Sequence, residues 1–537
     1  MKLEEAQLKE PVLWEKAGFH LPQFDRGKVT EKTKKNPTWI HFGAGNIFRA
    51  FPAVLQQELL EKGIEETGII VAEGYDYEIL EKIYKPHDDL SLLVTLKADG
   101  NIQKTIVGSV VESVTADSSN EKDFNRLKEI FSCRSLQMVS FTITEKGYSL
   151  INAKGEFLAD VKEDFEKGPA APKSYIGKLA ALCYERYRNG KYPVALVSMD
   201  NCSHNGTKLY EAVNAFAVQW SKNKLAEEGF TEYINGDLVS FPWSMIDKIT
   251  PRPDDTVKKL LKDLDFADAD AIITSKNTYV APFVNAEESQ YLVIEDCFPN
   301  GRPKLDQAGV IFTERETVDK VEKMKVCTCL NPLHTALAIY GCLLSYSSIH
   351  EEMKDAELKK LVEELGYKEG LPVVVDPGII RPKAFLEEVI GVRLPNPFIP
   401  DTPWRIVTDT SQKLAIRFGE TIKAYHQQEG LQASDLVFIP LVLAGWLRYL
   451  MGINDAGEAF ELSADPMLGE LCPYLKEIKL GDKGPFHDQL KVIISNEKIF
   501  GVNLYEVGLG EKVEEYFSEL VNGIGAVRTT LYSAERR

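Results

Sequence analysis

The sequence predicts an α/β domain built on a parallel sheet, followed by a mainly helical domain. Three observations predict this. Val- and Ile-rich runs alternate with amphipathic stretches through the first half. A glycine-marked turn, "WIHFGAGNIFRAF" (Trp39 to Phe51), leads from one such run into a helix-like stretch. After about Glu314 the periodicity is helical almost throughout.

The runs "GIIVAEG" (Gly68 to Gly74), "LQMVSFTIT" (Leu136 to Thr144) and "YPVALVSMD" (Tyr192 to Asp200) read as strands, and "SYIGKLAALCYERYRNG" (Ser174 to Gly190) reads as a helix between the last two. Such strands separated by helices form a parallel sheet covered on both faces. "DLSLLVTLKADGNIQKTIVGSVVESV" (Asp89 to Val114) differs, because two β-rich runs flank the hairpin signal "ADGN" and so predict an antiparallel insertion. The charged segment Lys28 to Pro37 reads as disordered. In the second half, "LNPLHTALAIYGCLL", "ASDLVFIPLVLAGWLRYLM" and "VEEYFSELVNGI" read as helices, and the four prolines of "VRLPNPFIPDTPWR" fix a loop between helices. The expected organisation is an N-terminal extension over 1–38, a Rossmann-like domain over 39–314 and a mainly helical domain over 315–537. Residues 460–483 match no recognisable pattern.

At 537 residues, 44% hydrophobic and 27% charged, the chain has the composition of a globular protein of two or three domains. The net charge of −18 argues against nucleic-acid and anionic-membrane partners, which demand a cationic face. No stretch of 18 apolar residues and no signal-peptide core is present, so a cytoplasmic protein is expected. The eight cysteines are scattered without a disulfide framework. Cys327 and Cys329 form a C-x-C pair without a second Cys/His pair at zinc spacing; packing cysteines are the reading, and no metal is expected. The oligomeric state is not legible.

In the glycine loop, Gly43 permits a tight strand-to-helix turn, and a side chain at Gly45 would hold the backbone away from a pyrophosphate. Phe48 stands where a G-x-G-x-x-G pattern wants its third glycine. Asn46, Ile47 and Arg49 complete the opening of the helix, whose free N–H groups would face phosphates. An ordinary βα turn would look the same. The next strand ends in Glu73, a carboxylate that could accept from adenosine ribose hydroxyls, with Asp76 as the fallback. A carboxylate there repels a 2′-phosphate, which favours NAD over NADP. A solvent-facing loop charge is the plain alternative for Glu73.

Local patterns then accumulate in a fixed order. "FGAGNIFRAF", "TITEKGY", "SMDNCSHNG", "FPWSMIDKITP", "VIEDCFPNGRP", "KMKVCTCLNPLHTALAIYG" and "RIVTDTSQK" together span roughly 39 to 420. In this order they resemble the polyol-specific long-chain dehydrogenase family, which includes mannitol 2-dehydrogenase, fructuronate reductase (mannonate dehydrogenase) and tagaturonate reductase. The altered third glycine is a trait of that family. The resemblance implies a metal-independent oxidoreductase with Lys325 as general acid/base. It implies Asn201 and Asn331 as hydrogen-bond donors to the reacting oxygen, and His334 as the group orienting substrate and lysine. Glu322 is implied as a proton conductor to solvent, and Asp247, Arg405 and Lys413 as substrate-binding groups.

Each residue also has a bland reading. Asn331 before Pro332 suits a helix N-cap with proline at the first helical position. His334 on an apolar helix suits a core histidine, Lys325 a solvated charge, and Asn201 a turn. One departure stands out. The family pattern places its asparagine five positions after the lysine, whereas Asn331 is six after Lys325, which on an ideal helix sets the side chains about 240° apart. A bend within "VCTCL" would absorb the extra residue, and Lys323 is a possible substitute base. The altered spacing also raises the reading of an NAD-binding sensor without catalysis. Among substrates, basic groups at Arg405, Lys413 and Arg252 favour a carboxylate-bearing sugar, hence fructuronate reduced to mannonate, with tagaturonate and mannitol as competitors.

Overall fold

The computed structural model describes residues 1–253 and 255–534. It divides into two compact units, the first Met1–Val318 and the second from Asp319 onward.

The first unit is built on a six-stranded sheet. Its strands are β1 (Trp39–Phe42), β2 (Ile69–Glu73), β3 (Val110–Thr115), β4 (Met138–Phe141), β5 (Val194–Ser198) and β6 (Val239–Ser240). Their spatial order is β3-β2-β1-β4-β5-β6, and every pairing is parallel. This is the doubly wound order, with its switch point between β1 and β4, where such sheets bind their ligands. The alternation of each strand feeds two cores. Ile40, Phe42, Ile70 and Val139 face one cluster, and Trp39, Val71, Met138 and Val197 face the other. Both faces are therefore dry, which is why these strands read as continuous apolar runs.

The helices follow from short apolar-periodic segments. After β1 come α1 (Asn46–Ala50) and α2 (Pro52–Glu61), with Pro52 at the first position of the second. Helix α3 (Glu121–Ser132) is capped by Asn120, and α4 (Tyr175–Arg188) by Ser174. Helix α5 (Asn205–Lys222) follows β5.

The expected hairpin forms, with Ser91–Leu96 antiparallel to Ile102–Val107. It belongs to a separate four-stranded sheet completed by Phe19–His20 and Phe283–Glu287. The last part of the stretch read as antiparallel, Val110–Thr115, instead joins the parallel sheet beside β2. Residues 26–35 are also not disordered: they form a helix capped by Asp25, with Val29 and Thr33 buried. Thr33 Oγ1 accepts from Gly68 N–H at 2.7 Å, which ties that helix to the entry of β2. Two buried positions on a highly charged helix leave almost no periodic signal, and this hid it from the sequence.

The second unit is helical. Helix α6 (Arg315–Lys323), within which the division falls, runs into a π-helical turn over Met324–Cys329, and α7 (Asn331–Leu343) follows. Helix α8 (Phe438–Tyr449) packs against α7 and against α9 (Gly510–Val521). Every residue of α8 is buried, and Tyr340 of α7 donates to its Leu441 carbonyl at 2.8 Å. The run Arg315–Leu343 is long and apolar enough by composition to cross a membrane, but 72% of its apolar window is buried inside the protein, as in a core helix.

Candidate active site

In the first unit the glycine loop leaves β1 at the switch point. Gly43 adopts φ +107°, and a Cβ there would lie 2.2 Å from the Thr142 carbonyl oxygen, so only glycine fits. Its N–H donates to Ala72 O at 2.9 Å, in line with the β1–β2 pairing. A Cβ at Gly45 would meet nothing within 4 Å. The loop backbone is thus open at Gly45, and Asn46 and Ile47 beside it are partly exposed. Phe48 and Arg49 turn inward. The Phe48 ring stacks on His41 of β1, 4.1 Å between centroids and 8° from parallel, so an aromatic pair replaces the close contact a third glycine would allow. Arg49 spends its guanidinium on the Ala281 carbonyl, 2.7 Å, and the Asn46 side chain, 2.8 Å.

Glu73 ends β2 with its carboxylate folded back over the loop. It accepts from the N–H groups of Ala44 at 2.9 Å, Tyr75 at 2.8 Å and Asp76 at 3.0 Å. Three of roughly four acceptor positions are taken, which leaves one for a ligand hydroxyl. Asp76 is buried and accepts from Thr274 Oγ1 at 2.6 Å. An open glycine backbone beside a fixed carboxylate fits a dinucleotide with a free 2′-hydroxyl.

The loops after β4 and β5 are laced together. Asp200 accepts from Ile143 N–H at 2.9 Å, Thr144 N–H at 2.8 Å and Tyr148 O–H at 2.5 Å. Burial raises its carboxyl above the usual range, against the pull of those donors. Asn205 Nδ2 donates to the carbonyls of Asp200 and Ser244, both at 3.0 Å, with that of Ser198 at 3.3 Å, and its Oδ1 accepts from Ser244 N–H. Gly206 follows because a Cβ there would sit 2.6 Å from Phe241 O. These residues hold the loop on which Asn201 stands. Asn201 itself is exposed, and its amide makes no hydrogen bond among the described residues. Asp247 is buried at the end of the strand Ser244–Asp247. Sequence reasoning missed Asp200 and Asn205; the only signal was their place in the quoted "SMDNCSHNG".

In the second unit the lysine segment is the π-helical turn Met324–Cys329. The π-turn carries an i→i+5 bond, Leu330 N–H to Lys325 O at 3.1 Å, and so accommodates one residue more than an α-turn. The chain then breaks at Leu330 (φ −129°, ψ −61°) before α7 begins. The bend expected within "VCTCL" thus takes the form of a π-turn followed by a break at Leu330. Lys325 is buried, 4% exposed. Lys323 is exposed and paired with Asp319 at 2.7 Å, which raises its ammonium above the ordinary value. Burial pushes the Cys327 and Cys329 thiols up to about 12 and about 11, the wrong direction for thiolate chemistry. Glu322 is partly buried.

Asn331 is the first residue of α7 rather than its cap; Leu330 takes the cap position and Pro332 follows as the second helical residue. The Asn331 amide makes no hydrogen bond among the described residues, so it is not spent on the backbone. His334 lies one turn on. Its Nε2 is 3.3 Å from Asp401 Oδ2, without the alignment of a hydrogen bond. Burial lowers its pKa to about 4; Asp401 opposes the shift, while Arg405, Arg417 and Arg393 add to it. Arg405 is itself paired with Asp401. The Lys413 ammonium donates to the Thr408 carbonyl, and its pKa is lowered by burial and by Arg417. His334 is therefore a neutral ring beside Asp401, with Arg405, Arg417 and Arg393 near enough to oppose its protonation.

Residues 37–307 match the mannitol dehydrogenase Rossmann domain, and residues 317–521 match the mannitol dehydrogenase C-terminal domain. The chain belongs to the mannitol dehydrogenase family. D-mannonate oxidoreductase of Thermotoga maritima is 54% identical, over 99% of this chain and 98% of that protein. The structure of a D-sorbitol dehydrogenase in substrate-free form aligns with TM-score 0.77 at 25% identity, over 95% of this chain and 97% of that one. Mannitol 2-dehydrogenase of Pseudomonas fluorescens, in a ternary complex with NAD and D-mannitol, shares the fold with TM-score 0.70 at 24% identity, over the whole of both chains. As a member of the mannitol dehydrogenase family, the chain is an oxidoreductase acting on a CH–OH group, with a Rossmann half and a helical half.

Proposed function

We propose that this dehydrogenase interconverts a ketohexuronate and an aldonate, D-fructuronate and D-mannonate, with NAD as cofactor and no metal. Two facts support a sugar acid over a neutral polyol. A relative 54% identical along nearly the whole chain is a D-mannonate oxidoreductase. The observation that carries the reading is the set of cations around His334, namely Arg393, Arg405 and Arg417, with Lys413 beside Arg417, which outnumber the carboxylates of Asp401, Asp409 and Asp465 among them in a protein of net charge −18. Concentrating positive charge there serves an anion.

NADH, when bound along the open glycine loop, supplies the hydride. Lys325 gives its ammonium proton to the carbonyl oxygen as the alcohol forms, and takes it back in the reverse direction. The uncommitted amides of Asn201 and Asn331 donate to that oxygen as negative charge develops. Each such donor lowers the barrier by about 3–4 kcal/mol. His334 orients substrate and lysine as a neutral ring, Asp247 takes substrate hydroxyls, and Glu322 conducts the proton onward. The buried position of Lys325 keeps the exchanging proton from bulk water.

The test is turnover of fructuronate, tagaturonate, fructose and fructose 6-phosphate with NADH in the presence of a chelator. Fructuronate is expected to give the highest kcat/KM, undiminished by chelation. A higher kcat/KM for fructose would overturn the sugar-acid reading.

A further inference from the structure

We infer that Arg417 is the group that receives the substrate carboxylate, and so sets the preference for sugar acids over neutral sugars. The inference rests on the sugar-acid reading above and names the residue that enforces it.

Arg417 lies in another π-turn, Ala415–Gly419, whose chain continues into the helix Glu420–Gln427. Two bonds fix this segment against the proposed catalytic residues. Arg417 Nη1 donates to Thr335 Oγ1 at 2.5 Å, and Thr335 Oγ1 in turn donates to the Asn331 carbonyl at 2.8 Å. Four residues on, Thr421 Oγ1 donates to the Cys327 carbonyl at 3.1 Å, within the turn that carries Lys325. Asn331, His334 and Thr335 share one face of α7, so the guanidinium is anchored to the face that bears the reacting groups.

The charges are unevenly compensated. Arg405 has Asp401. Lys413 donates to a carbonyl, with Asp409 and Asp465 nearby. Arg417 has no carboxylate within ion-pair distance among the described residues, and burial alone brings its pKa down to about 10. A largely buried guanidinium without an anion is costly to keep, and its planar fork matches a carboxylate in geometry. A substrate carboxylate supplies the missing charge.

The test compares wild type, Arg417→Met and Arg417→Lys, each in full-length protein. The wild-type arm decides the substrate reading by itself: failure to turn over fructuronate sinks that reading before any variant is made. Given wild-type turnover, Arg417→Met is expected to raise KM for fructuronate on the order of 30-fold or more, with a smaller change in kcat. Arg417→Lys should recover part of this. Added mannonate should raise the melting temperature of wild type and not that of Arg417→Met. The unliganded Met variant should melt no lower than wild type, because a largely buried charge without a counter-charge has been removed. An unchanged KM, or a melting temperature that falls in both variants together with equal losses in kcat, would overturn the assignment and leave the sugar-acid reading standing.

Discussion

Phe48 shows how one residue can look like a defect and be a packing solution. Its ring is fully buried against His41, and that ring is pinned by Ser140 Oγ at 2.6 Å and Thr142 Oγ1 at 2.8 Å. Replacing Phe48 by Ala is expected to cost about 3–5 kcal/mol of stability, measured by denaturant unfolding, through the cavity and the lost stack. A loss below about 1 kcal/mol would mean the stack is incidental. At this scale much of the proposed site was legible as residue types in family order, but their states were not. Nothing in "NPLHT" tells that the Asn331 amide is left unspent, or that His334 is held neutral beside Asp401. Arg417 escaped notice because its isolation from carboxylates among the described residues is a property of three-dimensional neighbours, not of spacing.

Among elements, the strand-to-helix turn and the π-turn carry the account. Gly43 sits at a positive φ, with Thr142 O where a Cβ would be. Gly43→Ala must therefore push β1 from the loop after β4 or change the loop's conformation. The expected result is a loss of NADH affinity of at least tenfold by fluorescence titration, with a lowered melting temperature. Wild-type affinity would show that the loop does not cradle the cofactor. The parallel strands were readable because both faces are buried and their apolar runs are unbroken. The helix over 26–35 was not, since only Val29 and Thr33 of it are buried. The π-turn was foreseen only as a bend. The extra residue demanded one, but its form depends on packing. Thr328 Oγ1 to Met324 O at 2.7 Å and Thr421 Oγ1 to Cys327 O at 3.1 Å occupy carbonyls within the turn.

For the molecule as a whole, each unit holds a neutral histidine with a depressed pKa, both by desolvation: His41, fully buried in the first, at about 3, and His334, partly buried in the second, at about 4. The unfolded chain, with histidines near 6.5, takes up protons first as pH falls. The stability each neutral ring contributes is therefore present in full above about 6.5. It is lost on acidification toward 4 for His334 and toward 3 for His41, at about 1.4 kcal/mol per histidine per pH unit. Between pH 6.5 and pH 4 the melting temperature of wild type should fall more steeply than that of His334→Asn, and equal slopes would contradict the neutral state of His334. Glu352 acts in the opposite sense. Among the described residues both its oxygens lack hydrogen-bond partners, and burial raises its carboxyl well above the ordinary value, so stability is lost as pH rises past about 4.5. The two-unit architecture was visible in the change of periodicity near Glu314, but the folding of residues 1–38 into the first unit was not, because their contacts are long-range.

The most direct measurement is kcat/KM for fructuronate reduction by Lys325→Ala, under chelating conditions, with and without added methylamine. The account predicts a loss of about 10²- to 10⁴-fold with the cofactor still bound, partly restored by the free amine. Turnover at the wild-type rate, or a loss that no amine restores while a divalent metal does, would contradict it.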